Sequence, residues 1–409
     1  MNQTRSATSY AWAVVAMLWP VAVLNYLDRQ MLSTMGLSIK ADIVELQSAQ
    51  NFGRLMAIFL WVYAFCSPLG GAIADRLNRK WLIVFSLGIW SAVTLLMGKA
   101  TNFQQLYVLR GLMGVSEAFY MPAGLALIAD YHPGATRSLA VGLHLSGVYL
   151  GQALGGIGGW VAQEMSWRAA FVGCGGIGVV YALVLVALLR ETDRSKTARD
   201  SSTTVAEVGV DWRAFAFLIL CFSLPSLPGW AVKNWLPTLL QDRFALAQAP
   251  SGLWATITNA GAGLGGVVLG GWLADRFART NLRGRTYVSA FGLLLLVPGM
   301  IIVGQAPTFA FTIIGAVIFG LGFGMFDANN MPILCQIAPP RFRATGYGLL
   351  NFLGISSGAY LTPLLGKLKD HGTPLAVAFA YCAVPALLAV VLMLLLRPKD
   401  FDRGVKVAG

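Results

Sequence analysis

The sequence predicts an all-α membrane protein whose twelve transmembrane helices form two pseudo-symmetric six-helix bundles. Three observations carry that expectation: the composition, the lengths of the apolar runs, and a repeat at about half the chain. Hydrophobic residues make up 56% of the 409 residues and charged ones only 12%, far from the balance of a soluble domain.

The apolar segments follow in order at 10–36, 51–74, 81–98, 104–129, 138–162, 168–190, 213–238, 251–274, 284–304, 308–330, 345–366 and 374–396. Each has about the 20 residues that a helix needs to cross the hydrocarbon. Glycine is abundant, at 46 residues, and lies inside these runs. That placement suits helices that must approach closely without a hydrophobic drive between them. An even count puts both termini on one side. The first segment has no small-residue cleavage pattern and continues into Asp28 and Arg29, so no removable signal peptide is expected.

The net charge of +12 follows topology and does not call for nucleic acid. With both termini cytoplasmic, the 30 Lys and Arg divide as 20 inside, 8 outside and 2 within helices, the inside set including Arg76, Arg79, Lys80, Arg137, Arg190, Arg194, Lys196, Arg199, Arg276, Arg279, Arg283, Arg285, Arg341, Arg343, Arg397 and Lys399. That asymmetry is the positive-inside pattern of a multi-pass protein of the cytoplasmic (inner) membrane. Five cysteines, Cys66, Cys174, Cys221, Cys335 and Cys382, fall in five different segments and read as small hydrophobes. There is no metal-spaced His/Cys cluster and no Gly-x4-Gly-Lys-Ser/Thr, so no metal, cofactor or direct ATP coupling is expected. A multi-pass enzyme would carry sizeable extramembrane loops with acidic or histidine clusters, and the outer loops here are short.

One polar stretch is long enough to be a linker, and it divides the chain into 1–190, a cytoplasmic linker at 191–212, and 213–409. GAIADRLNRK starts at Gly71 and GWLADRFART at Gly271, 200 residues later; RSLAVGL from Arg137 and RATGYGL from Arg343 are 206 apart. Two landmarks at nearly one offset imply two homologous bundles related by an axis along the membrane normal, with a substrate site between them near the midplane.

The first of these landmarks resembles the Gly-x3-Asp-Arg-x-Gly-Arg-Arg/Lys signature of the major facilitator superfamily. It reads Gly71, Asp75, Arg76, Asn78, Arg79 and Lys80 here, and its second copy keeps Gly271, Asp275, Arg276 and Arg279. Asn78 and Ala278 stand at the glycine position; Asn also tolerates a left-handed backbone. The resemblance implies a cytoplasmic latch, made by Gly71, Asp75, Arg76, Arg79, Asp275, Arg276 and Arg279, whose charges bond helix ends of the opposite half when the protein faces outward. The alternative is that these are only positive-inside charges.

Five ionisable residues stand inside the predicted helices: Asp28, Arg29, Arg110, Glu117 and Asp327. A charge at the bilayer centre costs about 2.5–3.5 kcal/mol on insertion scales, so such residues face a cavity and pair. Arg110 and Glu117, two turns apart, share a helix face about 10 Å apart along the axis, whereas adjacent Asp28 and Arg29 diverge by about 100°. A carboxylate in a poorly solvated cavity changes its proton occupancy when an anion claims the neighbouring arginine. Arginine keeps its proton and offers a planar fork to carboxylates. The set suffices for proton-coupled transport of an organic anion. The alternative is that these are static pairs locking helices together.

Asn-Tyr-x-Asp-Arg (Asn25, Tyr26, Asp28, Arg29), Arg-x6-Glu-Ala (Arg110, Glu117, Ala118) and Trp235-Leu236-Pro237-Thr238 resemble the anion:cation symporter branch of the superfamily, which includes sugar-acid importers. That resemblance implies Asp28 and Glu117 as protonation sites, Arg29 and Arg110 as anion handlers and Tyr26 as a substrate contact. The fifth segment departs from the sugar-acid pattern around Gly147, offering His144, Ser146, Tyr149 and Gln152 instead. Glu117-Ala118-Phe119-Tyr120 with Ile128-Ala129-Asp130 is similar to the spinster-like branch, which implies export of a lysolipid or other amphiphile.

Substrate contacts are thus expected from Tyr26, Arg29, Arg110, Tyr120, His144, Tyr149 and Gln152, joined by Asp327 and Asn330 from the second half; Asp327, Asn329 and Asn330 read equally as a helix cap. Trp235 reads as a membrane-interface anchor and His132 and His371 as solvated loop residues. The expected partners are a small organic anion, protons and membrane lipids, for a monomer without nucleic acid.

Overall fold

A computed structural model describes residues 2–132, 136–191, 212–338 and 340–397. The linker expected at 191–212 lies outside these residues from 192 to 211, as do Arg194, Lys196, Arg199 and Lys399 and the side chain of Asp75. Every regular element is helical among the described residues.

The first half comprises α1 (Asn2–Thr34), α2 (Gly36–Asp42), α3 (Ala49–Arg76), α4 (Arg79–Met97), α5 (Phe103–Glu117), α6 (Tyr120–Tyr131), α7 (Arg137–Leu154), α8 (Gly156–Glu164) and α9 (Trp167–Leu188). The second comprises α10 (Trp212–Phe244), α11 (Gln248–Ala278), α12 (Gly284–Gln305), α13 (Phe309–Asp327), α14 (Asn330–Ile337), α15 (Pro340–Asp370), α16 (Leu375–Tyr381) and α17 (Ala383–Leu395). Side-chain caps set several starts: Ser48, Asn78, Asn102, Ser166 and Thr308 each accept an N–H from the first turn of the helix that follows, satisfying donors that a helix leaves orphaned. Asn78 therefore replaces the signature glycine as an extended N-cap of α4 (φ −67°) and not as a left-handed residue.

Eleven spans among the described residues are long and apolar enough to cross a membrane. The expected fifth, 138–162, is divided between α7 and α8 at Gly155. The glycines that divide it also bring it close to α1: a Cβ at Gly147 would lie 2.9 Å from the Trp19 carbonyl oxygen, and one at Gly155 2.5 Å from Gln30 Cβ. Small residues about two turns apart on one face let two backbones approach and gain dispersion contacts that lipid cannot replace.

Corresponding breaks divide the fourth and tenth spans. α5 ends at Glu117 and α6 starts at Tyr120; α13 ends at Asp327 and α14 starts at Asn330. Both broken spans therefore carry an acid at the last residue before the break.

The contacts that join the halves gather on the face away from the Asp75-Arg76 and Asp275-Arg276 loops. There a Cβ at Gly53 on α3 would lie 2.8 Å from Pro363 Cα on α15, and one at Gly156 on α8 2.7 Å from Leu253 Cα on α11. Asp370 accepts hydrogen bonds from Ser48 Oγ (2.7 Å), Ala49 N (2.8 Å) and Gln50 N (2.9 Å). Ser38 and Gln248 bond each other twice, at 2.8 Å each, and Thr256 Oγ donates to the Ala153 carbonyl at 2.9 Å. At the basic face, among the described residues, α6 packs chiefly on α1, α3, α4 and α7, and α14 on α10, α12 and α15, each within its own half. The protein is sealed at the far face.

Candidate functional site: a central charged constellation

The site grows from α1, whose consecutive residues point in different directions. Asp28 turns into the first half, where Cys174 Sγ on α9 donates to Oδ1 at 2.9 Å and Thr94 Oγ on α4 donates to Oδ2 at 3.3 Å. It is 2% exposed. Arg29 turns toward α5, and its Nε donates to Glu117 Oε2 at 2.5 Å. Its guanidinium also lies over the rings of Tyr63, Tyr26 and Phe59, at 4.4, 4.7 and 4.9 Å. Aromatic faces stabilise a cation that has left water, so Arg29 is held by four groups at once.

Arg110 is equally enclosed but has a different task. Its Nη atoms donate to the α1 carbonyls of Asp28 (3.4 Å) and Arg29 (3.1 Å), and it sits 4.9 Å over Phe59. The pairing thus crosses helices, Arg29 with Glu117, and joins neither neighbour to neighbour nor Arg110 to Glu117. Geometry dictates this: adjacent residues diverge by about 100°, and two turns separate Arg110 from Glu117 by about 10 Å.

Several polar atoms here are buried without a partner in hydrogen-bond geometry: both atoms of the Asn25 amide, which lies beside the Glu117 carboxylate, Arg29 Nη2, Arg110 Nε and Glu117 Oε1. Buried polar groups are ordinarily paired, so a cluster of orphans beside two acids and two arginines marks a site kept for something other than stability.

The second half contributes Asp327, Asn330, Tyr347 and a residue that the sequence reading did not single out, although it lies inside the expected span 213–238. Lys233 lies within α10, close enough to Asp327 and Arg29 to interact with both, its ammonium 5.1 Å over the Trp230 ring. The backbone carbonyl of Lys233 accepts from Gln30 Nε2 of α1 at 2.7 Å, fixing the two helices against each other at the depth of the site. Asp327 is exposed, and Asn330 Nδ2 donates to its Oδ1 at 3.1 Å. Tyr149 of α7 lies near enough to Asp327, Tyr26 and Tyr347 to interact with them electrostatically, which brings α7 of the first half close to α13 and α15 of the second.

The other expected contacts fall elsewhere. Tyr120 and His144 are fully buried inside the first half, where the Tyr120 hydroxyl donates to the Leu18 carbonyl at 2.9 Å and lies 3.5 Å from His144 Nε2. Gln152 is half-buried near the end of α7, and Ser146 accepts from Trp19 Nε1 at 3.1 Å. Three readings are corrected. Trp235 is no interface anchor: it is fully buried, donating to the Thr362 carbonyl and packing 6.2 Å from Phe52 of the other half. His132 is buried against Trp12, whereas His371 is exposed as expected. Cys174 is not only a small hydrophobe, since it bonds Asp28.

Of the expected latch residues, Arg79 pairs with Asp130 and also reaches the Ala126 carbonyl, all within the first half. Asp275 bonds Arg285 at 3.2 Å within the second. Arg76, Arg276 and Arg279 are exposed, and a Cβ at Gly71 would meet open space.

Lys233 had a legible signal, an ionisable residue inside an apolar run. Phe59 and Tyr63 had none, because aromatic residues in a transmembrane segment are ordinary and only the packing of α3 against α5 aims them at Arg29.

A helical bundle duplicated about mid-chain, with a charged cluster where its halves meet, is the architecture of a membrane transporter for small molecules. The chain matches the Major Facilitator Superfamily over residues 18–363 and 236–408, and it belongs to that family. It is 24% identical over 419 residues to a D-galactonate transporter of Escherichia coli O6:H1, covering 94% of this chain and 95% of that one. It is 27% identical over 400 residues to human protein spinster homolog 1, covering 88% and 74%. Among solved structures, a bacterial homolog of the human lysosomal transporter spinster, in an inward-facing and occupied conformation, superposes with a TM-score of 0.75 at 21% identity over 95% of both chains.

Proposed function

We propose that this chain is a proton-coupled importer of a small organic anion, a hydroxylated carboxylate of the sugar-acid kind, across the cytoplasmic membrane. The basic face is then cytoplasmic, both termini lie inside, and the far-face seal makes this an inward-facing conformation. The halves, 1–190 and 213–409 joined by the linker 191–212, rock about the central site as a monomer, and the charged loops after α3 and α11 close the cytoplasmic side in the alternate state.

The observation that carries this reading is the Arg29–Glu117 pair. Glu117 is fully buried, its Oε2 held by Arg29 at 2.5 Å and its Oε1 unpaired. An anion that draws Arg29 away leaves a buried carboxylate without its cation. That state costs several kcal/mol, and taking up a proton removes the cost. Substrate and proton are thereby bound together. Asp28, in its dry pocket against Cys174 and Thr94, is the second proton site. Arg110, tied to the α1 backbone, transmits a shift of α1 to α5.

The kinship to a D-galactonate transporter supports the anion class, and the two arginines fit it. The kinship to spinster homologs supports a second reading, proton-coupled export of a lysolipid, in which the same acids serve an amphiphile. Purified protein in liposomes decides between them. Labelled D-galactonate should accumulate under an inward proton gradient in wild type, while Glu117→Gln exchanges it without accumulation. Lysophosphatidylcholine efflux in place of galactonate uptake would establish the second reading, and gradient-driven accumulation by Glu117→Gln would refute the coupling scheme.

A further inference from the structure

The acid and cation of the first half have counterparts in the second. Glu117 and Asp327 each end the first piece of a broken span, at α5 and α13. They lie 210 residues apart, close to the 200 and 206 of the repeated landmarks. Lys233 follows Arg29 by 204 residues and occupies the corresponding span, the first of its half. The chain therefore carries one cation–acid pair twice, as Arg29 with Glu117 and as Lys233 with Asp327.

The two copies differ in state. The first is closed at 2.5 Å and largely shielded, with side-chain exposures of 14% and 0%. The second forms no ion pair among the described residues: Lys233 interacts with Asp327 from beyond contact distance, its ammonium rests on Trp230, and Asp327 is open to solvent with one oxygen held by Asn330. Arg29 is already engaged by Glu117 and three rings, and Arg110 by backbone carbonyls. Of the three central cations, Lys233 is the one whose side chain makes no hydrogen bond among the described residues, and an ammonium offers three donors.

Resting on the organic-anion reading above, we propose that Lys233 is the substrate's carboxylate anchor and Asp327 the acceptor for its hydroxyl groups. The second half thus selects a hydroxylated carboxylate, while the first half supplies the protonation machinery. The anion sits where Lys233 and Arg29 both reach it. It arrives at Lys233 first, because that cation is free, and competes for Arg29 second, which releases Glu117 to take its proton.

The test is exchange of labelled D-galactonate in liposomes without any gradient, which reads binding and translocation apart from coupling. Lys233→Gln should raise the half-saturating concentration by about tenfold to a hundredfold, the range set by losing charge-assisted hydrogen bonds. Lys233→Arg should keep it within a few-fold and so show that the fold tolerates the site. Asp327→Asn should narrow the preference for galactonate over hexanoate, which has the carboxylate but no hydroxyls. Wild-type affinity in Lys233→Gln, with wild-type protein exchanging galactonate, would overturn the anchor and leave the proposed function standing. If wild-type protein exchanges no galactonate, both fall.

Discussion

Asp370 holds the far-face seal by capping a helix that belongs to the other half. Ser48 caps α3 from within the chain by accepting the Asn51 N–H, but the Ala49 and Gln50 N–H groups have no intrahelical partner. The Asp370 carboxylate, at the end of α15, accepts both and the Ser48 hydroxyl besides, at 2.7–2.9 Å. A negative charge at a helix N-terminus also meets the positive end of the helix dipole. Replacing Asp370 by Ala removes all three bonds while leaving each half intact. Because the site is exposed, each bond is worth less than 1 kcal/mol net, so the seal weakens by about 2 kcal/mol. At about 1.4 kcal/mol per factor of ten, the odds of the sealed form fall roughly thirtyfold. Spin labels at Val44 and His371, both exposed at the far face, report the separation of the halves there. The variant should shift the distance distribution toward longer values in detergent and in nanodiscs. A distribution identical to wild type would show that the seal does not depend on this trans cap.

Gly156→Val should block the seal by a different route, since even a Cβ there would lie 2.7 Å from Leu253 Cα and Thr256 Oγ; the same labels should read an open far face and galactonate uptake should be lost, whereas retained uptake would place the substrate route elsewhere. Lys40 makes the seal pH-sensitive. Burial, and then Lys369 across the interface, hold its ammonium down to about 8 in the sealed form, with Asp242 and Asp370 opposing. Below about pH 8 Lys40 is charged whether the seal is open or shut, and closing bears the full cost. As pH rises from about 8 toward the usual lysine value, the sealed fraction should increase, and Lys40→Met should flatten that dependence. A sealed fraction that falls over this range would reverse the assignment.

Much of the charged cluster was legible before any coordinates, because lipid makes it so. An ionisable side chain inside an apolar run is costly, so Asp28, Arg29, Arg110, Glu117 and Asp327 stood out from the letters alone, and Lys233 belonged with them by the same rule. The repeat at Gly71 and Gly271 gave the two-bundle plan, since duplicated halves keep the same loop chemistry. Asn78, noted in the sequence for its tolerance of a left-handed backbone, is instead an extended N-cap, because its backbone angle depends on how α3 and α4 meet.

What the sequence determined by itself is the class of protein, most of the helical spans and five of the six central charges, all of them consequences of excluding water from the backbone and penalising buried charge. Partnership was decided by the tertiary structure alone. Arg29 faces Glu117 across 88 positions of chain, Cys174 reaches Asp28, and Lys233 approaches Asp327 only because α10 and α13 converge, since direction around a helix axis and packing between helices are not written in the order of residues.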